Sequence, residues 1–392
     1  MFEINKGNHL KLNNMKRILF DLTGVQPNAS GKMHGGGKYG IVMFKEMVKH
    51  SIDLEAVYYS SKYMPEEIKD ACSKIKMHDL DKVSLESVLD NGNYDIYYSA
   101  MLSYTEVLKR DDLKVVGSVH GLRRLEMPND SNYLYYRQTI KSRLRVIYTL
   151  LFPKRWRNRV HKVYEYDLMQ PNFHYIAVSN HTKASLLSFF PELKEKSIKV
   201  FYSPSTAGNR NVEPYSIEKY FLLVSANRPE KNALRAVQAL DELMSEREEF
   251  KKYKVYLTGA KADAFKYKIK NPNNFEFLGY VSELDLARLY KGAFCFIYPS
   301  LNEGFGYPPL EAMNYGIPVL ASPISSITEV CGDAVLYFNP FDYKEIKNRI
   351  LQIHYDKNLY QNLKEKGEKR FDFITKKQNA DLVQFVEWIC EL

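Results

Sequence analysis

Two acidic residues bracket the stretch of this chain that best fits a chemical role. Glu303 and Glu311 stand eight positions apart, with a glycine-rich stretch and a Pro-Pro pair between them. Carboxylates accept hydrogen bonds from hydroxyl groups, as on a sugar or a ribose, but they cannot hold a phosphate. Backbone amides at a helix N-terminus favour an anion such as a phosphate. The stretch therefore predicts a site for a molecule that carries both groups, as a nucleotide-sugar does.

A strand, a glycine loop and a helix must position these two acids. Residues 293–298 form a short apolar run before a proline, which predicts a buried strand. Residues 311–315 predict a helix with proline at its first turn and Gly316 as its stop. This order puts residues 304–306 at a helix N-terminus, and it predicts Glu311 in the first helical turn.

Strand and helix patterns alternate along both halves of the chain. Strands are predicted at 16–21, 54–59, 95–99, 115–119, 175–178 and 199–202, then at 221–224, 254–257, 275–278, 293–298 and 317–321. The alternation predicts an α/β fold with two doubly wound domains and parallel sheets, in which ligands bind at the carboxyl ends of the strands. The predicted bounds are a polar extension 1–14, a first domain 15–205, a linker 206–217, a second domain 218–370 and a terminal amphipathic helix 371–392.

Three other candidate segments also follow predicted strands. Residues 34–39 hold a triple glycine between strand and helix, but they lack the spacing of a P-loop or a dinucleotide fingerprint. A lone histidine is most often structural, yet His120 stands at a strand end beside a glycine and two arginines, which favours a site role. Arg228 and Lys231 open a helix after a strand, where cations can neutralise a leaving diphosphate.

The stretch from Ala293 to Pro340 resembles the donor site of a known family. The runs Glu303-Gly-Phe-Gly, Pro309-Leu-Glu-Ala-Met and Gly316-Ile-Pro are similar to those of the glycogen-synthase-like retaining glycosyltransferases, known as glycosyl transferases group 1. The resemblance covers most of residues 221–342, and the first half only loosely. It implies a GT-B fold of two facing Rossmann-like domains, with a C-terminal helix that crosses back to the first domain.

The resemblance also implies a role for each matching residue. The sugar would meet Glu303 and His120, and the ribose would meet Glu311. Lys231 and Arg228 would bind the leaving diphosphate, although Arg228 stands two positions from the arginine of the commoner family pattern. The remaining donor contacts would come from the amides of Gly304, Phe305 and Gly306, from Tyr280 and Val281 beside the base, and from Gly36 and Gly37 when the cleft closes.

Composition narrows the class of protein. The chain has 392 residues, 45% hydrophobic and 26% charged, which is typical of a globular protein of two domains. No long apolar run or apolar leader is present, and the four cysteines form no C-x-x-C pair, so a cytoplasmic location with reduced thiols is expected. No set of side chains has metal-ligand spacing, so neither a metal nor another cofactor is predicted.

The net charge of +9 is concentrated in one segment. Residues 137–162 hold nine Lys or Arg and no Asp or Glu, with apolar and aromatic residues between them. One interpretation is a surface that meets an anionic membrane or a phosphorylated acceptor, at the inner face of the membrane. The other is a solvated helix face whose apolar side packs on the core. Nucleic acid is not expected as a partner, because no nucleic-acid module is recognisable.

The preferred hypothesis is a retaining transferase that moves a hexose from a nucleotide-diphosphate sugar to a hydroxyl of a glycan or lipid-linked glycan, in surface polysaccharide or glycoconjugate synthesis. Three alternatives stay open. A GT-B nucleotide-sugar epimerase would act without an acceptor. A non-catalytic nucleotide-sugar-binding partner would bind the donor without turnover. A Rossmann dehydrogenase would bind NAD.

Overall fold

The structure is a computed structural model that describes residues 16–27, 35–50, 52–102, 110–170, 172–206, 208–265 and 267–392. The predicted extension 1–14 and His34 lie outside the described residues. Contact clustering divides the chain into two units. Unit 1 holds Met1–Ser118, Gln170–Ile176 and Asp381–Leu392, and unit 2 holds Val119–Met169 and Ala177–Ala380. The predicted domain bounds differ from these units and stay predictions.

The first half of the chain forms a seven-stranded sheet. Its strands are β1 (Ile18–Asp21), β2 (Leu54–Tyr58), β3 (Lys76–Asp79), β4 (Ile96–Ser99), β5 (Lys114–Val119), β6 (Phe173–Ala177) and β7 (Ile198–Val200), in the order β3-β2-β1-β4-β5-β6-β7. The pairs β1–β2, β1–β4, β2–β3 and β4–β5 are parallel. The crossovers include α1 (Gly35–Lys49), α2 (Glu66–Cys72), α3 (Leu85–Gly92), α4 (Arg123–Glu126), α5 (Ile140–Leu151), α6 (Pro153–Leu168) and α7 (Asn180–Phe189).

The second half forms a six-stranded sheet. Its strands are β8 (Tyr220–Leu223), β9 (Lys254–Thr258), β10 (Phe275–Gly279), β11 (Cys295–Tyr298), β12 (Val319–Ala321) and β13 (Leu336–Tyr337), in the order β10-β9-β8-β11-β12-β13. All five neighbouring pairs are parallel. The helices are α8 (Ala233–Glu246), α9 (Glu283–Gly292), α10 (Tyr307–Asn314), α11 (Ile327–Cys331), α12 (Tyr343–Tyr355) and α13 (Lys357–Glu391).

Each unit has an apolar core that follows from the sequence pattern. In unit 1, Tyr98 on β4 packs on Phe20 of β1 and on Phe385 near the end of α13. In unit 2, α8 buries Leu234, Val237 and other apolar residues against the strands, at the spacing of an amphipathic helix. The predicted α/β fold with two parallel sheets is confirmed.

One polar cluster in unit 1 lies at the edge of the sheet. Glu55 on β2 is buried, and its carboxylate accepts hydrogen bonds from Arg17 Nη2, His78 Nε2 and Tyr94 Oη at 2.6, 2.6 and 2.5 Å. Burial raises the pKa of a carboxyl group, but these hydrogen bonds outweigh it and lower the pKa of Glu55 to about 2. The buried charge is therefore compensated at neutral pH.

The structure corrects four local predictions. Residues 76–79, which the polar composition did not mark as a strand, form the edge strand β3, because an edge strand needs apolar side chains on one face only. The triple glycine is the first turn of α1 rather than a loop before it. Helix α10 begins at Tyr307, which puts Glu311 in the second turn rather than the first. The terminal helix begins at Lys357 rather than near residue 371.

Candidate active site

A buried ion pair lies where two neighbouring strands of the second sheet end. Lys231 follows β8, Glu303 follows β11, and these two strands are paired in parallel. Lys231 Nζ donates to Glu303 Oε1 at 2.5 Å, and the side chains are only 6% and 9% exposed. Two residues far apart in the chain therefore meet because the carboxyl ends of parallel strands share one edge of the sheet.

Two hydroxyl groups complete the hydrogen bonds around this ion pair. Tyr298 Oη donates to Glu303 Oε1 at 2.6 Å and accepts from Lys231 Nζ at 2.6 Å. Ser300 Oγ also donates to Glu303 Oε1, at 2.5 Å. In the part of the chain that the structure describes, Oε1 takes all these bonds and Oε2 takes none. One carboxylate oxygen is thus held in place, and the other can accept a hydrogen bond from a hydroxyl group.

Burial and charge act on both members of the pair. Burial tends to raise the pKa of Glu303, but the charge of Lys231 and the hydrogen bonds from Lys231, Ser300 and Tyr298 outweigh it, so this pKa is lowered. Burial lowers the pKa of Lys231, and the Glu303 carboxylate opposes that shift. Since each charge faces its opposite at hydrogen-bond distance, we treat both groups as ionised at neutral pH.

The glycine loop after Glu303 packs against the backbone at His120. A Cβ atom placed on Gly304 would lie 2.0 Å from the His120 carbonyl oxygen, so no side chain fits at position 304. Gly121 has φ +104° and faces the Gly304 Cα. The Gly304 carbonyl accepts hydrogen bonds from Ser179 Oγ at 2.7 Å and from Thr182 Oγ1 at 3.3 Å. The structure thus brings the backbone of His120 to the loop that carries Glu303.

Gly306 and Phe305 fix the direction in which the loop enters α10. Gly306 caps the N-terminus of α10 with φ +106°, a conformation that favours glycine. Phe305 is buried between Tyr202 and Tyr307, with ring centroids 5.4 Å from each. The glycines supply backbone freedom and Phe305 anchors the loop, so the side chain of Phe305 acts by packing.

Arg228 is held by a neighbouring carboxylate. Its Nε and Nη2 donate to Glu230 Oε1 at 2.8 and 2.5 Å, and Arg123 Nη1 donates to the same oxygen at 3.0 Å. Glu230 is the residue before Lys231. The prediction named Arg228 and Lys231 in this turn but missed Glu230, because its contact with Arg123, 107 positions away, leaves no motif in the sequence.

Two other acids, to which the sequence assigned no specific role, hold the loops of the site together. Glu126 accepts from Asn302 Nδ2 and from His181 Nε2, which joins α4 to the loop before Glu303. Glu329 on α11 accepts from the backbone amides of Asn180 and His181 at 2.9 Å each, at the N-terminus of α7. Both acids are fixed by residues more than 50 positions away in the sequence, so no local pattern marks them.

The other predicted site residues lie at three places. Glu311 on α10 accepts from Tyr290 Oη at 3.2 Å. Tyr280, 62% exposed, and Val281 follow the carboxyl end of β10. Gly36 and Gly37 belong to unit 1, where they lie in the first turn of α1. In the described ranges no group of three or more His, Cys, Asp or Glu could hold a metal ion. None of the helices described is long and apolar enough to cross a membrane.

The basic segment exposes many of its apolar side chains. Helix α5 exposes the residues of one face to solvent, and we call this face the apolar stripe: Ile140, Leu144, Ile147, Tyr148 and Leu151. The exposed fractions of Ile140, Leu144 and Leu151 are 78%, 58% and 67%. Val146 on α5 and Val160 on α6 are buried, so part of the segment packs inwards. Both interpretations of the segment stay predictions.

The chain is similar to known proteins in sequence and in fold. Residues 209–370 match the model of the family described as glycosyl transferases group 1. O-antigen chain mannosyltransferase B of Escherichia coli is 38% identical over 139 residues, 34% of this chain and 36% of that protein. O-antigen chain mannosyltransferase RfbU of Salmonella typhimurium is 31% identical over 186 residues, 46% of this chain and 50% of that protein. The chain thus spans half or less of the length of these curated relatives.

Solved structures match over nearly the whole chain. Sucrose-phosphate synthase of Thermosynechococcus elongatus has a TM-score of 0.68 at 13% identity, covering 95% of this chain and 98% of its own. WaaG, a glycosyltransferase involved in lipopolysaccharide biosynthesis, has a TM-score of 0.63 at 12% identity, covering 95% and 99%. The chain therefore has the predicted GT-B fold. Within it, residues 209–370 match the predicted family, glycosyl transferases group 1.

Proposed function

We propose that the protein is a retaining hexosyltransferase that takes its sugar from a nucleotide-diphosphate donor. The observation that supports it best is the ion pair of Lys231 and Glu303. An ammonium group has three N–H donors, and two of those on Lys231 are used by Glu303 and Tyr298. The third N–H can donate to a phosphate oxygen. Glu303 Oε2 can accept from a sugar hydroxyl beside it. One pair of side chains can therefore meet both parts of the donor.

The proposed reaction needs no covalent intermediate on the protein. The bond from the sugar C1 to the phosphate oxygen breaks, and a bond from C1 to the acceptor oxygen forms on the same face. The acceptor proton passes to the leaving phosphate oxygen, so the products are a nucleoside diphosphate and the extended acceptor. Lys231, Arg228 and the amides of residues 304–306 would stabilise the negative charge on the diphosphate as it leaves. No metal enters this scheme.

The sugar that we propose is mannose. Both curated relatives described above carry mannosyltransferase in their names and act on an O-antigen chain. The proposed acceptor is correspondingly a hydroxyl group of a glycan or lipid-linked glycan in surface polysaccharide synthesis. The ribose of the donor would meet Glu311, its base would meet Tyr280 and Val281, and His120 would border the sugar.

The apolar stripe of α5 supports a peripheral membrane location on the cytoplasmic side. Apolar side chains that face water beside many cations fit an anionic lipid surface, which takes up the apolar groups and attracts the positive charge. The segment that carries the stripe, residues 137–162, contains no Asp or Glu. The protein would then bind a lipid-linked acceptor at the membrane surface, where the lipid of the acceptor is anchored.

The test is a transfer assay with purified protein. The donors are GDP-mannose, UDP-glucose and ADP-glucose, each with and without an O-antigen acceptor, and products are identified by mass spectrometry and by the anomeric configuration of the new bond. We expect mannose transfer from GDP-mannose with retained configuration, unchanged by EDTA. A donor that changes in the absence of acceptor would indicate the epimerase instead, and donor binding without turnover would indicate the non-catalytic partner.

A further inference from the structure

An open cavity of about 1010 Å³ lies beside the proposed donor site, and nothing above assigns it a ligand. All the residues that line it belong to unit 2. They come from α4 and the segment after it, from one face of α5, from the start of α6 and from the turn before Lys231. Its size is enough for a diphosphate group with sugars attached to it.

Most apolar residues of helix α5 face solvent, and several of its polar residues face the cavity. The apolar stripe faces solvent, whereas the polar residues Lys141, Ser142, Arg145 and Thr149 line the cavity. These four positions follow one another at helical spacing, so they form a second face of the same helix. A water-soluble surface helix normally packs its apolar face inwards. In α5 only Val146 is buried, and it lines the cavity together with the four polar residues.

Five cationic side chains line this cavity, and they are not compensated: Arg124, Arg137, Lys141, Arg145 and Arg157. Across the ranges that the structure describes, none of the five forms an ion pair with a carboxylate. Glu230, the only acid in the cavity wall, is already paired with Arg123 and Arg228. The wall therefore carries a positive charge that an anion can neutralise.

Trp156 brings two of these cations together. The guanidinium carbons of Arg124 and Arg145 lie 5.8 and 5.9 Å from the centre of its ring. Two like charges on one ring repel each other, and the attraction of each to the ring offsets only part of that repulsion. Arginine forks match the oxygens of a phosphate group, so a bound phosphate would remove the repulsion and make charge-assisted hydrogen bonds.

The cavity adjoins the loop that holds the ion pair. Pro229 and Glu230 form part of its wall, and Glu230 directly precedes Lys231. The carbonyl oxygen of Glu230 accepts from the amide of Leu301 at 2.8 Å, in the loop that leads to Glu303. A molecule bound in the cavity by an anionic group would therefore lie next to the proposed donor site.

We infer that this basic cavity binds the phosphate or pyrophosphate group of a lipid-linked glycan acceptor. The inference rests on the proposed function and narrows it, because it selects a phosphorylated acceptor over a neutral glycan. The lipid would leave the cavity along α5, whose apolar stripe lies on the same helix as Lys141 and Arg145. A neutral glycan would leave the five cations without an anionic partner.

The first experiment measures anion binding without any turnover. The protein has two tryptophans, Trp156 and Trp388. In a Trp388→Phe background the emission comes from Trp156 alone. Titration with inorganic pyrophosphate in saturating GDP, which fills the proposed donor site, is expected to change this emission in a saturable way. An emission that pyrophosphate leaves unchanged would overturn the inference.

Two arginines on α5 provide a matched pair of variants. Both are exposed, but Arg145 lines the cavity and Arg143 lies outside its lining. Arg145→Gln is expected to weaken pyrophosphate binding by about tenfold or more, as for the loss of one charge-assisted hydrogen bond. Arg143→Gln removes the same charge from the same helix and is expected to leave pyrophosphate binding unchanged. Equal effects of the two substitutions would mean that pyrophosphate responds only to the overall positive charge of the helix, and this would refute the site.

The second experiment separates the acceptor from a membrane lipid. The KM of Arg145→Gln is compared for a short-chain lipid pyrophosphate glycan and for the same glycan without its pyrophosphate. We expect a rise in KM of about tenfold for the first substrate only. A response of Trp156 to phosphatidylglycerol vesicles but not to the soluble phosphorylated acceptor would contradict the inference. If pyrophosphate binds but no sugar is transferred, the cavity stands as an anion site and the proposed transferase function fails.

Discussion

The ion pair of Lys231 and Glu303 gives the most demanding test of the proposed site. We consider Glu303→Gln, Lys231→Met and the double variant. Glutamine keeps an oxygen that can accept from Tyr298 and Ser300, but it removes the charge that faces the ammonium. Methionine has a similar length to lysine and removes the cation. The three variants thus separate the charge from the shape of the pair.

The magnitude follows from how deeply the pair is buried. Both side chains are less than 10% exposed, at 6% and 9%, so solvent cannot screen a charge that is left alone. Removing one partner of a buried pair costs about 3–5 kcal/mol in the free energy of unfolding, because the other charge stays buried. The double variant leaves no lone charge, so it is expected to lose less than the sum of the single variants, by about 2 kcal/mol or more.

Urea unfolding, followed by far-UV circular dichroism, measures these free energies, and the transfer assay measures turnover. Each single variant is expected to lose at least about 100-fold in kcat/KM, as for the loss of one preorganised electrostatic contact. The double variant would regain stability but not activity. Two results would refute the reasoning: single-variant costs that add within about 0.5 kcal/mol in the double variant, or a Glu303→Gln protein with normal turnover.

Three further predictions concern other parts of the molecule. Gly304→Ala should lower the free energy of unfolding by about 1–3 kcal/mol and reduce turnover, because its Cβ would lie 2.0 Å from the His120 carbonyl oxygen. The control is Gly35→Ala, whose Cβ would have no atom within 4 Å, and it should change neither quantity in the same assays. The pKa of Glu55 is lowered to about 2, below that of about 4.3 in the unfolded chain, so its contribution is present above pH ~4.3 and is lost as the pH falls towards 2. We expect about 1–3 kcal/mol from this group, and urea unfolding against pH should show a shallower acid limb in Glu55→Gln; an unchanged limb would contradict the prediction. Leu151→Glu should weaken sedimentation with phosphatidylglycerol vesicles by about tenfold and leave thermal stability unchanged, since Leu151 is 67% exposed; equal binding to neutral vesicles would argue against the lipid surface.

Much of this architecture was predictable because it depends on local patterns in the sequence. Apolar runs located eleven of the thirteen described strands to within a few residues, and β3 and the short β13 were not predicted. Their alternation with helices predicted the parallel order, since parallel strands need a crossover. The block from Glu303 to Glu311 carried enough specific residue types to identify the family. These features depend on residues that are close together in the chain, so the sequence alone is enough to predict them.

The polar edge strand β3 and the glycine turn of α1 were missed for a related reason. Lys76 to Asp79 pair with β2 through backbone groups, and their half-exposed side chains do not reveal it. The three glycines weaken a helix when taken alone, yet α1 includes them because Tyr39, Met43 and Met47 anchor the helix in the core. In both cases tertiary contacts outweighed local preference.

The sequence alone determined which residues could serve a sugar, a phosphate and a lipid surface, because charge, hydrogen-bonding capacity and apolar area belong to the side chains themselves. Only the tertiary structure decided which of them meet. It brought Lys231 to Glu303, brought Arg123 to Glu230 and placed the polar face of α5 beside a cavity. The reason is that these contacts span tens of residues, and their distances are set by the order of strands and the packing of helices rather than by spacing along the chain.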